Sequence, residues 1–128
     1  MAFQDVGYGK GQYYSVNMPL SDGIDNEMYE YVFKKIVQEA KDKFQPDAIV
    51  LLASPSILAS ERINTFNVTL KGHTSCVKFV KNMNLPLLVL GGGLPATTKA
   101  VNLWTHLTSK FVGVKLSDGT VFAVKRMR

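Results

Sequence analysis

Two runs of consecutive apolar residues stand out from an otherwise mixed chain. One is Ala48-Ile49-Val50-Leu51-Leu52-Ala53, which leads into Ser54-Pro55-Ser56. The other is Leu85-Pro86-Leu87-Leu88-Val89-Leu90, which leads into Gly91-Gly92-Gly93-Leu94-Pro95. Short, wholly apolar runs ending in turn residues predict buried strands of a parallel sheet, with helices on both faces. In open α/β sheets the carboxyl ends of such strands are where ligands bind, and glycine there allows a sharp turn and close approach. A weaker strand is predicted at Tyr13–Leu20, from partial alternation and β-prone residues, stopped by Pro19.

Between the runs the apolar period lengthens to that of a helix. Asp25 is placed to cap a helix in which Met28, Val32, Ile36, Ala40 and Phe44 recur every fourth residue. Phe33 and Val37 widen that stripe, and Lys34, Lys35, Gln38, Lys41 and Lys43 lie opposite. Ser54–Asn67 is expected to be a long polar loop. Thr69 should cap a second helix with Cys76, Val77 and Val80 inward and Lys71, Lys78 and Lys81 outward. A third should start near Thr97 or Thr98, with Val101, Trp104, Leu107 and Phe111 on its inner face. The resulting strand–helix alternation is that of βαβ units. Past Phe111, Val114–Lys125 reads as a β-hairpin turning at Asp118-Gly119. The expected fold class is therefore α/β, with parallel strands, flanking helices and a C-terminal β-hairpin. The first domain is 1–111, and 112–128 forms the hairpin and basic tail.

Composition narrows the function without naming it. The net charge is +5, but the basic residues are scattered apart from Lys125-Arg126-Met127-Arg128, so a solvated surface explains them and no nucleic-acid partner is expected. A single cysteine, Cys76, excludes an internal disulfide and points to a reducing compartment, with nuclear or cytoplasmic residence. No apolar run approaches the ~20 residues of a membrane span, and no membrane association is expected. The only two histidines, His73 and His106, share no metal-ligand spacing with each other or with Cys76. His73 reads as a packing residue and His106 as an exposed one. The early glycines Gly7, Gly9 and Gly11 match no phosphate-binding pattern and read as a surface loop.

Several segments, taken in order, resemble class I histone deacetylases, zinc enzymes of the arginase/deacetylase fold. They are Gly9–Leu20, Asp22–Asp25, Phe44-Gln45-Pro46, Phe66–His73, Cys76–Val80, Asn84–Gly93 and Trp104-Thr105. The resemblance implies a partial three-layer fold of that kind, corresponding to a C-terminal portion of the catalytic domain. It also implies that the family's other zinc ligands and paired general-base histidines belong to the part upstream.

Two departures bear on chemistry. The family's loop after the first strand carries a zinc-binding aspartate, and Ser56 stands in its place. The tyrosine that polarises the substrate carbonyl is replaced by Pro95, which has no donor. By the resemblance, Gly92 and Gly93 are remnants of the substrate tunnel. Arg62 occupies the place of an anion-binding arginine, although its neighbour in that cluster is Thr98, and an ion pair with Glu61 is the simpler reading. The implied function is a catalytically inactive deacetylase-like protein, without zinc, acting as a chromatin or corepressor-type interaction module through a protein partner or self-association. The alternative is a zinc-dependent deacetylase whose site another chain completes. Residues 116–126 are similar to two strands of receptor-like kinases, but no phosphate-binding loop or catalytic Asp motif accompanies them, which excludes kinase chemistry.

Overall fold

The computed structural model describes residues 4–59, 65–92 and 98–116. Three helices and two strands follow one another as α1 (Asn26–Phe44), β1 (Ile49–Leu52), α2 (Leu70–Lys81), β2 (Leu87–Leu90) and α3 (Thr98–Val112). The predicted caps hold. The Asp25 carboxylate accepts the Met28 N–H at 3.0 Å, and the Thr69 hydroxyl accepts the Gly72 N–H at 3.4 Å. Each satisfies a helix N–H that has no partner inside its own helix.

β1 and β2 are parallel and in register, Ile49 opposite Leu87 through Leu52 opposite Leu90. The ladder runs one residue further at each end, with Ile49 N–H donating to the Pro86 carbonyl and Ala53 N–H to that of Leu90, both at 2.8 Å. Leu51 and Val89, paired across the ladder, face a core of Ala53, Leu58, Val77, Leu103 and Leu107. That core joins one face of the sheet to α2 and α3.

The other face differs from expectation. Val50 is 66% exposed, Leu52 59%, Leu88 56% and Leu90 42%, so the apolar runs are covered on one side only. An unbroken apolar strand signals that both faces are built for burial. Among the described residues nothing covers the second one.

Other expectations shift as well. Tyr13–Leu20 forms no strand, and Tyr13 sits at φ 70°, outside the extended region. A strand needs a neighbour to hydrogen-bond, and this segment finds none among the described residues; instead Asn17 Nδ2 donates to the Asp5 carbonyl at 2.8 Å. Just before it, Gly9–Gly11 is a short 3-10 turn. The Ser54–Asn67 loop is partly structured. It opens with a 3-10 turn at Pro55–Ile57, and Leu58 bridges to Val68 in parallel. The predicted hairpin turn and second strand, residues 117–128, lie outside the described residues.

α2 buries Cys76, Val77 and Val80 as predicted, while the stripes of α1 and α3 differ in part. In α1, Met28 and Phe44 are largely exposed, and the side facing α2 instead carries Asn26 and Glu30. Asn26 Oδ1 accepts the Thr69 N–H at 2.8 Å, and Glu30 Oε2 accepts from Ser75 Oγ at 2.6 Å and Lys34 Nζ at 2.7 Å. α1 therefore docks through polar side chains as well as apolar ones. In α3 the buried residues are Ala100, Leu103 and Leu107, with Trp104 and Phe111 beside them. No helix among the described residues is long and apolar enough to cross a membrane.

Candidate functional site

The C-terminal ends of β1 and β2 meet α2 and α3 where a ligand would be sought. Ser54 leaves β1 and caps the following turn, its Oγ accepting the Ser56 N–H at 3.2 Å and donating to Ser56 Oγ at 2.9 Å. Two ring N–H groups hold the strand end from the helix side. His73 Nε2 donates to the Ser54 carbonyl and Trp104 Nε1 to the Ala53 carbonyl, each at 3.2 Å. Both donors are aromatic side chains that need a polar partner once buried, which is the one sequence signal of this role. The sequence reading placed Trp104 and His73 in the packing and did not foresee these contacts.

Gly91 is favoured here by space. A Cβ on it would lie 3.0 Å from Trp104 Cε2, so glycine lets the indole lie against the end of β2. At Gly92 a Cβ would meet Leu52 Cδ1 at an ordinary 3.4 Å, so packing alone does not demand glycine there. Gly93, Pro95 and Arg62 lie outside the described residues, as does Glu61.

The ionisable groups around this strand end are held in their uncharged forms. Burial pushes the His73 imidazole below its ordinary range, only partly offset by the Ser54 carbonyl. With Nε2–H spent on that carbonyl, Nδ1 carries the lone pair, and it is buried without a hydrogen-bond partner among the described residues. Burial raises the Cys76 thiol to about 11, with Glu30 adding to the effect. Tyr29, on α1, is pushed up to about 12 by burial and by Cys76. These three groups line one cavity of about 90 Å³ with Leu51 and Val77. A thiol and a phenol so shifted are poor nucleophiles at neutral pH. His106 is half-buried rather than exposed, its imidazole lowered by burial and by Lys110 and Lys78.

The resemblance calls for zinc, and the donors present do not fit it. Zn²⁺ in a hydrolase needs nitrogen, sulfur or carboxylate ligands with at least one anion among them in most sites. Ser56 offers a neutral hydroxyl already engaged by Ser54. Among the described residues no three His, Cys, Asp or Glu side chains cluster as ligands would. The single buried imidazole points its N–H at a backbone carbonyl and stands near a protonated thiol.

Comparison with known proteins supplies the lineage. A family model described as the histone deacetylase domain matches residues 1–111. Histone deacetylase 1 of Homo sapiens is 47% identical over 106 residues, which is 83% of this chain and 22% of that protein. Histone deacetylase 19 of Arabidopsis thaliana is 44% identical over 115 residues, 90% of this chain and 23% of that protein. Type-1 histone deacetylase 1 of Dictyostelium discoideum is 42% identical over 115 residues. The chain thus spans under a quarter of the length of these relatives. Parallel β1 and β2 with three helices are part of the arginase/deacetylase fold that the family match implies. The chain belongs to the histone deacetylase family.

Proposed function

We propose that this chain is a catalytically silent member of the deacetylase family that serves as a protein-interaction module of the chromatin or corepressor type, in the nucleus or cytoplasm. One observation carries the first half of the reading. The residue standing where the family has a zinc carboxylate is Ser56, a neutral side chain tied into the turn by Ser54. Without an anion there, this chain supplies neither grip on a metal nor a polarised water. The second half is supported by the open sheet face. Val50, Leu52, Leu88 and Leu90 form a patch that water contacts at a cost, and covering it with another protein removes that cost.

The test is metal analysis of the purified chain together with deacetylation of an acetyl-lysine peptide. The expected result is zinc well below one equivalent and no turnover. One equivalent of zinc with turnover abolished by a chelator would refute it, and would instead favour a hydrolase site completed by a second chain.

A further inference from the structure

Beside β2 runs a groove of about 530 Å³, apolar along its walls and cationic at one end. Leu85, Leu87 and Val89 line it from the strand side, and Trp104, Leu107 and Phe111 from α3. The strand also offers its backbone. The carbonyls of Pro86 and Leu90 accept N–H groups from β1, and successive residues of a parallel strand turn their polar groups to opposite sides. Leu87 and Val89 therefore point theirs away from β1, and neither finds a partner among the described residues.

The charge lies where α2 meets the end of α3. Trp104, set against Gly91, marks one end of the groove. Lys81 lines the other, about two turns further along α3. Its Nζ donates to the Lys110 carbonyl at 3.3 Å and to the Phe111 carbonyl at 3.4 Å, and stands 5.4 Å from the centre of the Phe111 ring. Those bonds leave the ammonium a further N–H to give. Lys110 and Lys78 stand close enough to His106 that each lowers its imidazole, so the cations gather on one rim. Among the described residues no carboxylate is in contact with Lys78, Lys81 or Lys110.

We propose that this groove receives an extended segment of another protein, with apolar residues at alternate positions and an acidic end set against Lys81. This rests on the reading of the chain as an interaction module, and adds where the partner lies and what it is made of. The outward N–H and C=O groups of Leu87 and Val89 hydrogen-bond the segment's backbone, and alternate side chains fill the apolar walls. Its carboxylates meet a rim of uncompensated positive charge, which fixes the direction of docking. A second copy of this chain fits less well, because its net charge of +5 brings more positive charge to a rim that already repels it.

Amide chemical shifts of the full chain test it. The probe is a short synthetic peptide alternating valine and serine, with paired glutamates at its amino end in one version and at its carboxyl end in another. At low salt at least one version should produce saturable shifts at Leu87, Val89 and Gly91. Glutamine in place of the glutamates, or Lys81→Gln in the protein, should weaken binding by about tenfold. Added salt should weaken the glutamate peptide and leave the glutamine peptide unchanged. If Lys81→Gln disturbs the amides of α3 by itself, the glutamine peptide on the unaltered protein decides. No saturable shift with either version, or equal affinity for the glutamate and glutamine peptides, would overturn the proposal. Shifts confined to Val50, Leu52 and Leu88 would overturn it as well, while keeping the interaction reading with the partner on the open sheet face. Failure of the broader reading is seen separately, as bound zinc with turnover, and does not depend on these shifts.

Discussion

Trp104 Nε1 donates to the Ala53 carbonyl at 3.2 Å, so α3 is fastened to the end of β1 across the end of β2. The indole lies close against Gly91, where a side chain would crowd it. One contact thereby sets the spacing of three elements. Trp104→Phe keeps most of the packing but strands a buried carbonyl. The expected loss is about 1–3 kcal/mol in urea unfolding, and a change under about 0.5 kcal/mol would contradict the role.

Gly72→Ala should destabilise, against the usual sign for a helix interior, where alanine is favoured by about 1 kcal/mol. A Cβ there would sit 2.2 Å from Asn26 Oδ1 and 3.0 Å from its Cβ. That carboxamide holds the Thr69 N–H, so the clash spreads into the α1–α2 joint. An expected cost of about 1–3 kcal/mol is measurable as a lower denaturation midpoint. A stabilised variant would show that α1 yields freely.

Stability should fall as the pH drops through the ordinary histidine range. The fold holds His73 neutral, and its folded pKa lies below its unfolded value of about 6.5. The contribution is complete above that unfolded value. It declines as the pH falls below it and levels off once the pH is under the folded value. Urea midpoints from pH 7.5 to 5.5 should therefore slope downward, and His73→Gln should flatten most of the slope. His106 is shifted the same way but is less buried, so His106→Gln should leave most of it. Glu30, held below the usual carboxylate range chiefly by its hydrogen bond from Lys34, acts only in a more acidic window.

Cys76 should be inert in the folded protein. Its thiol, raised to about 11 and buried, is scarcely ionised at pH 8. Reaction with a chromogenic disulfide should be roughly a hundredfold slower than in urea. Equal rates in the two states would mean that α2 opens readily.

The open sheet face should govern association rather than folding. Val50→Thr with Leu88→Thr changes side chains already more than half exposed. Stability should move by less than about 1 kcal/mol, while any concentration-dependent growth in mass by light scattering should diminish. Association unchanged by the pair would move the contact surface elsewhere.

How much was legible in advance can be followed residue by residue. Asp25 and Thr69 were readable as caps because capping is local: a side-chain oxygen meets an N–H two or three residues on. β1 and β2 were readable because four consecutive aliphatic residues before turn residues have few other uses. The family was readable from segments such as Phe66–His73 and Asn84–Gly93, and the match over residues 1–111 bears it out. The stripe of α1 holds in its middle, at Val32, Phe33, Ile36 and Val37, and fails at its ends, because Met28 and Phe44 keep helical spacing while the partner surface on α2 offers Thr69 and Ser75 to Asn26 and Glu30 instead. Periodicity reports which side a helix could bury, and the neighbour decides which side it does.

The chain by itself therefore determined the order and kind of its helices and strands and their caps, since each depends on residues close in sequence. Only the tertiary structure decided that the described residues cover a single sheet face and that a histidine and a tryptophan, 19 and 51 residues from their acceptors, clasp the end of β1. Such contacts rest on where elements meet in space, and no local pattern of residues encodes that distance.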